Sequence, residues 1–170
     1  MSEPAAPPTQ ASAVSARRTA GLAFTFAGRA RRSEVVNYAL SAAFILLAVS
    51  FATALFADFA LRHLVSTGLT ILLALPVPAL LVRRLHDQGR AGTLAWLATI
   101  GFAVWLVRTG IALTQGTEAR IGFDRMTWAI DWLVILANLA TVILALLPGT
   151  PGPNRYGPDP RAAADAAASG

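Results

Sequence analysis

A histidine beside an aspartate, bracketed by arginines, is the most reactive-looking combination in this 170-residue chain. It lies in Arg83-Arg84-Leu85-His86-Asp87-Gln88-Gly89-Arg90. Imidazole titrates near neutrality, so His86 and Asp87 have the makings of an acid–base pair. The same residues also suit a plainer arrangement, in which Asp87 pairs with an arginine or caps the next helix, and this is the preferred reading. Arg83 and Arg84 are planar and permanently charged, which suits bidentate contact with lipid phosphates. They also complement the negative C-terminal end of a preceding helix. A metal site would need more ligands: the only other histidine is His63, and the chain has no cysteine. No metal, cofactor or cysteine nucleophile is therefore expected.

Two further clusters share this arginine-rich character. The first, Phe26-Ala27-Gly28-Arg29-Ala30-Arg31-Arg32-Ser33-Glu34, reads as an interfacial turn leading into a helix. Ser33 is placed to cap that helix, Glu34 to sit in its first turn, and Arg29 to snorkel outward. The second, Gly152-Pro153-Asn154-Arg155-Tyr156-Gly157-Pro158-Asp159-Pro160, is stiffened by proline and bent by glycine. It lacks the G-x-x-x-x-G-K-[ST] pattern that cradles phosphate. Asp159, with Glu34 or Asp87, is expected to share the surrounding arginines in one ion-pair network that pins the tail. Elsewhere Arg108, Asp131 and Asn138 interrupt apolar sequence. Charges inside a membrane face a partner or water, so Arg108 and Asp131 are expected to pair, with Asn138 sharing their pocket. Lining a conduction path is the alternative role for the three.

The elements that hold these residues follow from composition. The chain is 55% hydrophobic and 14% charged, with a mean hydropathy of +0.57. A soluble domain carries about 25% charge, so these values argue against a soluble enzyme and exclude a disordered polar chain. About 20 apolar residues cross a bilayer core, and four runs qualify: 35–57, 64–82, 91–113 and 128–147. The expected fold is an all-α membrane protein of four transmembrane helices spanning residues 21–160. Disordered tails are expected at 1–20, on the cytoplasmic side, and at 161–170. Pro76 and Pro78 should kink the second helix, with neighbouring helices covering the carbonyls this frees. Ala48, Ser50, Ala52 and Ala54 give only a weak suggestion of homo-oligomerisation through the first helix.

Orientation follows from arginine, because every one of the 14 basic residues is an arginine. Ten fall on the side of the two termini and of the loop after helix two, against Arg62, Arg108, Arg120 and Arg125 on the other. Positive segments stay inside, so both termini should be cytoplasmic. The pI near 11.2 then reports membrane orientation, not a nucleic-acid surface.

Taken together, the three arginine-rich clusters resemble a family of small bacterial inner-membrane proteins known as domain of unknown function 805. The resemblance rests on three stretches in order. Phe26, Gly28, Arg29, Arg32 and Glu34 fit the first; Arg83, Arg84, Leu85, His86, Asp87, Gly89 and Arg90 fit the second. Gly152, Asn154, Tyr156, Gly157, Asp159 and Pro160 fit the third. Val35-Val36 and Ala91-Gly92-Thr93-Leu94 depart from the aromatic-bearing pattern. The resemblance implies an inner-membrane protein and no settled activity. The expected function is accordingly non-enzymatic: a scaffold or accessory protein contacting anionic lipid headgroups, a membrane-protein partner or its own copies, with a small channel or transporter as the alternative.

Overall fold

The computed structural model describes residues 24–162; both expected tails, apart from Arg161 and Ala162, lie outside the described residues. Among these residues six α-helices follow one another: α1 (Arg32–Phe56), α2 (Phe59–Ala74), α3 (Val77–Asp87), α4 (Leu97–Gln115), α5 (Thr117–Met126) and α6 (Trp128–Leu146), with a 3-10 turn over Gly92–Trp96 before α4. Among the described residues four segments are long and apolar enough to cross a membrane: Arg32–Phe56, Phe59–Asp87, Gly92–Gln115 and Trp128–Leu146. The fold is therefore all-helical with four candidate membrane spans. Among the described residues the only β pairing is an isolated bridge between Asn154 and Gly157.

The second span is α2 and α3 in series, broken at Leu75-Pro76. Proline has no N–H to continue the ladder, and beside the break the Leu73 carbonyl takes a donor from another helix. The Tyr38 hydroxyl of α1 supplies it, at 2.6 Å. Helix then resumes and runs to Asp87, five residues past the expected end at 82. Arg83, Arg84, His86 and Asp87 consequently occupy helical turns and not a loop. At the first span the helix starts at Arg32 with Arg31 as its cap residue. The capping contact comes from Glu34, whose Oε1 accepts the Arg31 N–H at 3.2 Å, and Ser33 lies inside the first turn.

Residues 117–126, read from sequence as part of a connection, form α5. Glu118 in its first turn and Arg125 in its last suit the helix dipole. Its ten residues are too few to cross a bilayer, so a search for long apolar runs passes over it. Gly116, at φ +90°, turns the chain between α4 and α5.

Packing is uneven along the bundle. Large apolar side chains such as Phe44, Leu47, Phe56 and Trp132 are exposed along the spans, as a lipid-facing surface requires. The buried apolar cluster of Leu81, Val82, Leu85, Ala95 and Ala145 lies at the end of the bundle that carries the arginine-rich segments. Hydrocarbon gives apolar helices little reason to prefer each other over lipid. Tight packing therefore concentrates where polar groups fix the partners. Four spans place residues 24 and 162 at this same end.

Candidate functional site

At that end the three arginine-rich segments close into one buried cap with Asp87 at its centre. Asp87 is fully buried, and Arg83 and Arg84 are 0% and 1% exposed. The Asp87 carboxylate receives Arg29 Nε at 3.0 Å and Arg84 Nη1 at 2.5 Å, with Arg161 further off at 3.9 Å. One carboxylate thus faces two guanidiniums removed from water, whose burial would be very costly without such a partner.

Arg29 is the strap across all three segments. Besides Asp87, its Nη1 donates to the Gly152 carbonyl at 2.6 Å and its Nη2 to the Thr150 carbonyl at 2.7 Å. Only the planar fork of a guanidinium can serve donors to three acceptors in one plane. The outward snorkelling expected of Arg29 is corrected on this point: its side chain turns inward because tail carbonyls and a carboxylate wait for it there. The neighbouring Ala30 N–H bonds the Arg83 carbonyl at 3.0 Å. Arg31 closes the rim, with Nε 2.9 Å from the Pro160 carbonyl.

Arg84 works downward onto the fourth span. Its Nε donates to the Ala145 carbonyl at 2.8 Å, and Nη2 reaches the Leu147 carbonyl. The last carbonyls of α6 have no partner within their own helix, so Arg84 satisfies them while complementing the negative helix end. The Gln88 amide bonds the Leu144 carbonyl in the same way. The contact with lipid phosphate expected of Arg83 and Arg84 is therefore corrected: both are spent inside, Arg84 on Asp87 and α6, Arg83 beside the buried Glu34 at 3.9 Å.

His86 has likewise been taken up by structure. Its Nδ1 lies 3.2 Å from the Gly28 carbonyl. Its ring stacks on Tyr156, with centroids 3.8 Å apart and planes within 5°, and Arg155 stands over the Tyr156 ring at 4.7 Å. Asn154 fastens the tail turn: Nδ2 donates to the His86 carbonyl at 2.9 Å, and Oδ1 accepts the Tyr156 N–H at 2.9 Å. Asp159 holds the far side, its carboxylate accepting the Gly152 and Arg161 N–H groups, each at 2.9 Å. Its carboxyl is held below the usual range, first by the Arg161 N–H and further by the Gly152 N–H and the charges of Arg161 and Arg29. Asp159 thus shapes the tail turn through backbone groups, whereas Asp87 and Glu34 face the buried arginines.

Thr150, Gly149 and Gln88 were not singled out by sequence reasoning. Thr150 donates its N–H and its hydroxyl to the Asp87 carbonyl, at 2.8 and 2.9 Å. Gly149 passes so close that a methyl group there would stand 1.9 Å from Asp87 Oδ2. For Gly149 and Thr150, position just before the proline-rich tail is the only available signal, whereas Gln88 lies within the second arginine-rich segment.

At the opposite end, Arg108 of α4 pairs with Asp131 of α6 at 2.6 Å and with Asp124 of α5 at 2.9 Å. Arg108 also reaches the Thr127 hydroxyl at 3.4 Å. This clasp ties α4, α5 and α6 together, and Asp124 is a member that sequence reasoning missed. Asn138 does not join it: it lies seven residues on, about 10 Å along the helix, and is exposed on the bundle surface. The three polar residues therefore do not line one pocket. Of the remaining candidates, Gly28 provides the turn at φ +87°, while Arg32 and Arg90 are exposed on the cap. His63 is at the other end of the second span from His86, stacked near Phe59.

The profile of a family described as "Protein of unknown function (DUF805)" matches residues 23–158. Two curated relatives, both "Inner membrane protein YhaI", from Escherichia coli (strain K12) and Escherichia coli O157:H7, are each 40% identical over 103 residues. The aligned region covers 58% of this chain and 84% of each relative. No solved structure matches the chain.

Proposed function

The chain belongs to the DUF805 family of integral membrane proteins, and we propose that it is a non-enzymatic inner-membrane scaffold or accessory protein whose cytoplasmic cap rests on anionic lipid headgroups, both termini lying inside. The observation that carries this reading is a division of labour among the arginines. Arg29, Arg83 and Arg84 are buried in the cap, whereas Arg32, Arg90, Arg155 and Arg161 are exposed around it. Phe24 and Phe26 are exposed beside them, at 70% and 49%, and such apolar rings bury into the boundary between headgroups and acyl chains. Each arginine near an anionic surface contributes about 1 kcal/mol, so four give about 4 kcal/mol of preference. Engagement of His86 with Gly28 and Tyr156 supports a structural and not a catalytic role for the His86–Asp87 pair.

The test is lipid selection by the intact chain. Nanodiscs of equal phosphatidylglycerol and phosphatidylcholine should show phosphatidylglycerol enriched in lipid co-purified with the protein. Replacing Arg32, Arg90, Arg155 and Arg161 by glutamine should abolish the enrichment while leaving the thermal midpoint within a few degrees. Equal recovery of both lipids by the unmodified chain contradicts the proposal. If the arginines instead grip an acidic segment of a membrane partner, lipid recovery stays equal and a crosslinked adduct in native membranes disappears with the same replacements.

A further inference from the structure

One polar side chain away from the cap stands where lipid tails should be. Asn138 is the eleventh of the 19 residues of α6, at mid-depth of the fourth span. It is exposed on the bundle surface, and among the described residues its amide has no hydrogen-bond partner. Hydrocarbon offers an amide nothing, and an unsatisfied polar group there is costly. Headgroups lie about half a span away, roughly 15 Å, beyond the reach of so short a side chain.

Asn138 lies at the edge of the contact between α6 and α4, where Gly101 leaves room for it: a methyl group at Gly101 would stand 3.0 Å from Nδ2. Ile135 and Val142, three residues before and four after, share the same helix face and are 52% and 53% exposed. The missing partner has a definite chemistry. A carboxamide carries donors and an acceptor together, so an identical carboxamide facing it across a two-fold axis satisfies both. A second copy of this chain delivers that group at the same depth.

We propose that the Ile135–Asn138–Val142 face of α6 is a self-association surface, on which two copies pair about a two-fold axis with their Asn138 amides hydrogen-bonded to each other. The proposal is independent of lipid selection by the cap, which sits at one end of the bundle.

The absence of native cysteine makes the test clean. Single-cysteine versions of the full chain, Ile135→Cys and Val142→Cys on the proposed face and Phe44→Cys and Leu47→Cys on the exposed face of α1, are reconstituted in phosphatidylcholine vesicles and oxidised. Disulfide-linked dimers should form at 135 and 142 and not at 44 and 47. In parallel, energy transfer between labelled copies is followed as lipid dilutes the protein. Asn138→Leu should weaken association about 5- to 30-fold, the value of one interhelical amide contact, and Asn138→Gln should recover most of it. Equal crosslinking at all four positions, or energy transfer unchanged by Asn138→Leu, overturns the proposal. The cysteine variants keep Asn138, so they decide the matter even if the leucine variant fails to fold.

Discussion

Replacing Asp87 by alanine should release the tail from the cap without dislodging the spans. The carboxylate is fully buried and pairs with Arg29 at 2.9 Å and Arg84 at 2.5 Å. Removing one partner of a buried ion pair costs about 3–5 kcal/mol, because the other charge is stranded. Here each stranded guanidinium keeps backbone carbonyls: Thr150 and Gly152 for Arg29, Ala145 and Leu147 for Arg84. That places the loss near the lower end, about 3 kcal/mol, or roughly 100-fold in the open population. The spans themselves are held by hydrocarbon, so helicity should be unchanged. The assay is trypsin cleavage after Arg155, which lies in the turn closed by the Asn154–Gly157 bridge, timed by mass spectrometry on the full chain in nanodiscs. When reclosing outpaces cutting, the cleavage rate tracks the open population. Asp87→Ala should be cut roughly 100-fold faster, with Asp87→Asn between it and the unmodified chain. A rate within threefold of the unmodified chain would refute the assignment of Asp87 as the centre of the cap.

Four other outcomes follow from the same geometry. Arg29→Lys keeps the charge but loses the fork that serves Asp87, Thr150 and Gly152 together, so its tail should be cut nearly as fast as that of Arg29→Met. Gly149→Ala would drive a methyl group to 1.9 Å from Asp87 Oδ2 and should lower the midpoint of heat-induced aggregation by several degrees, whereas Gly68→Ala, which meets nothing within 4 Å, should not. The Asp159 carboxyl is held below its ordinary 3.8; its contribution is complete above that value and is lost as pH falls through the lowered one. Tail cleavage by an acid-active protease should therefore rise below about pH 4, and Asp159→Ala should show the open tail already at neutral pH. Exchanging the charges as Arg108→Asp with Asp131→Arg should restore part of the expression lost in either single variant, while Asp124, left facing an aspartate, keeps the rescue incomplete.

The spans were legible because lipid imposes a length and a composition that α1 and α6 display without ambiguity. The break in the second span was legible from Pro76, since a missing N–H cannot be hidden. The direction in which Arg29, Arg83 and Arg84 point was not. Near a membrane end, an arginine read alone belongs at the headgroups, because burying it is costly. What reverses that preference is Asp87 together with the carbonyls of Thr150, Gly152, Ala145 and Leu147, and these meet only when the tail folds back. The pairing of Arg108 with Asp131 could be expected from their shared depth, yet Asp124 could not, because it arrives on a helix too short to stand out. Gly149 is a case of close approach, which spacing along the chain does not encode.

If the three arginine-rich segments form one cooperative cap, they must open together. Hydrogen exchange of the full chain in nanodiscs tests this most directly, at the amides of Ala30, Thr150 and Gly152, whose acceptors are Arg83, Asp87 and Asp159. The three should be protected to a similar degree and lose protection together in Asp87→Ala. Independent exchange, with Ala30 or Gly152 unaffected by that substitution, would contradict it.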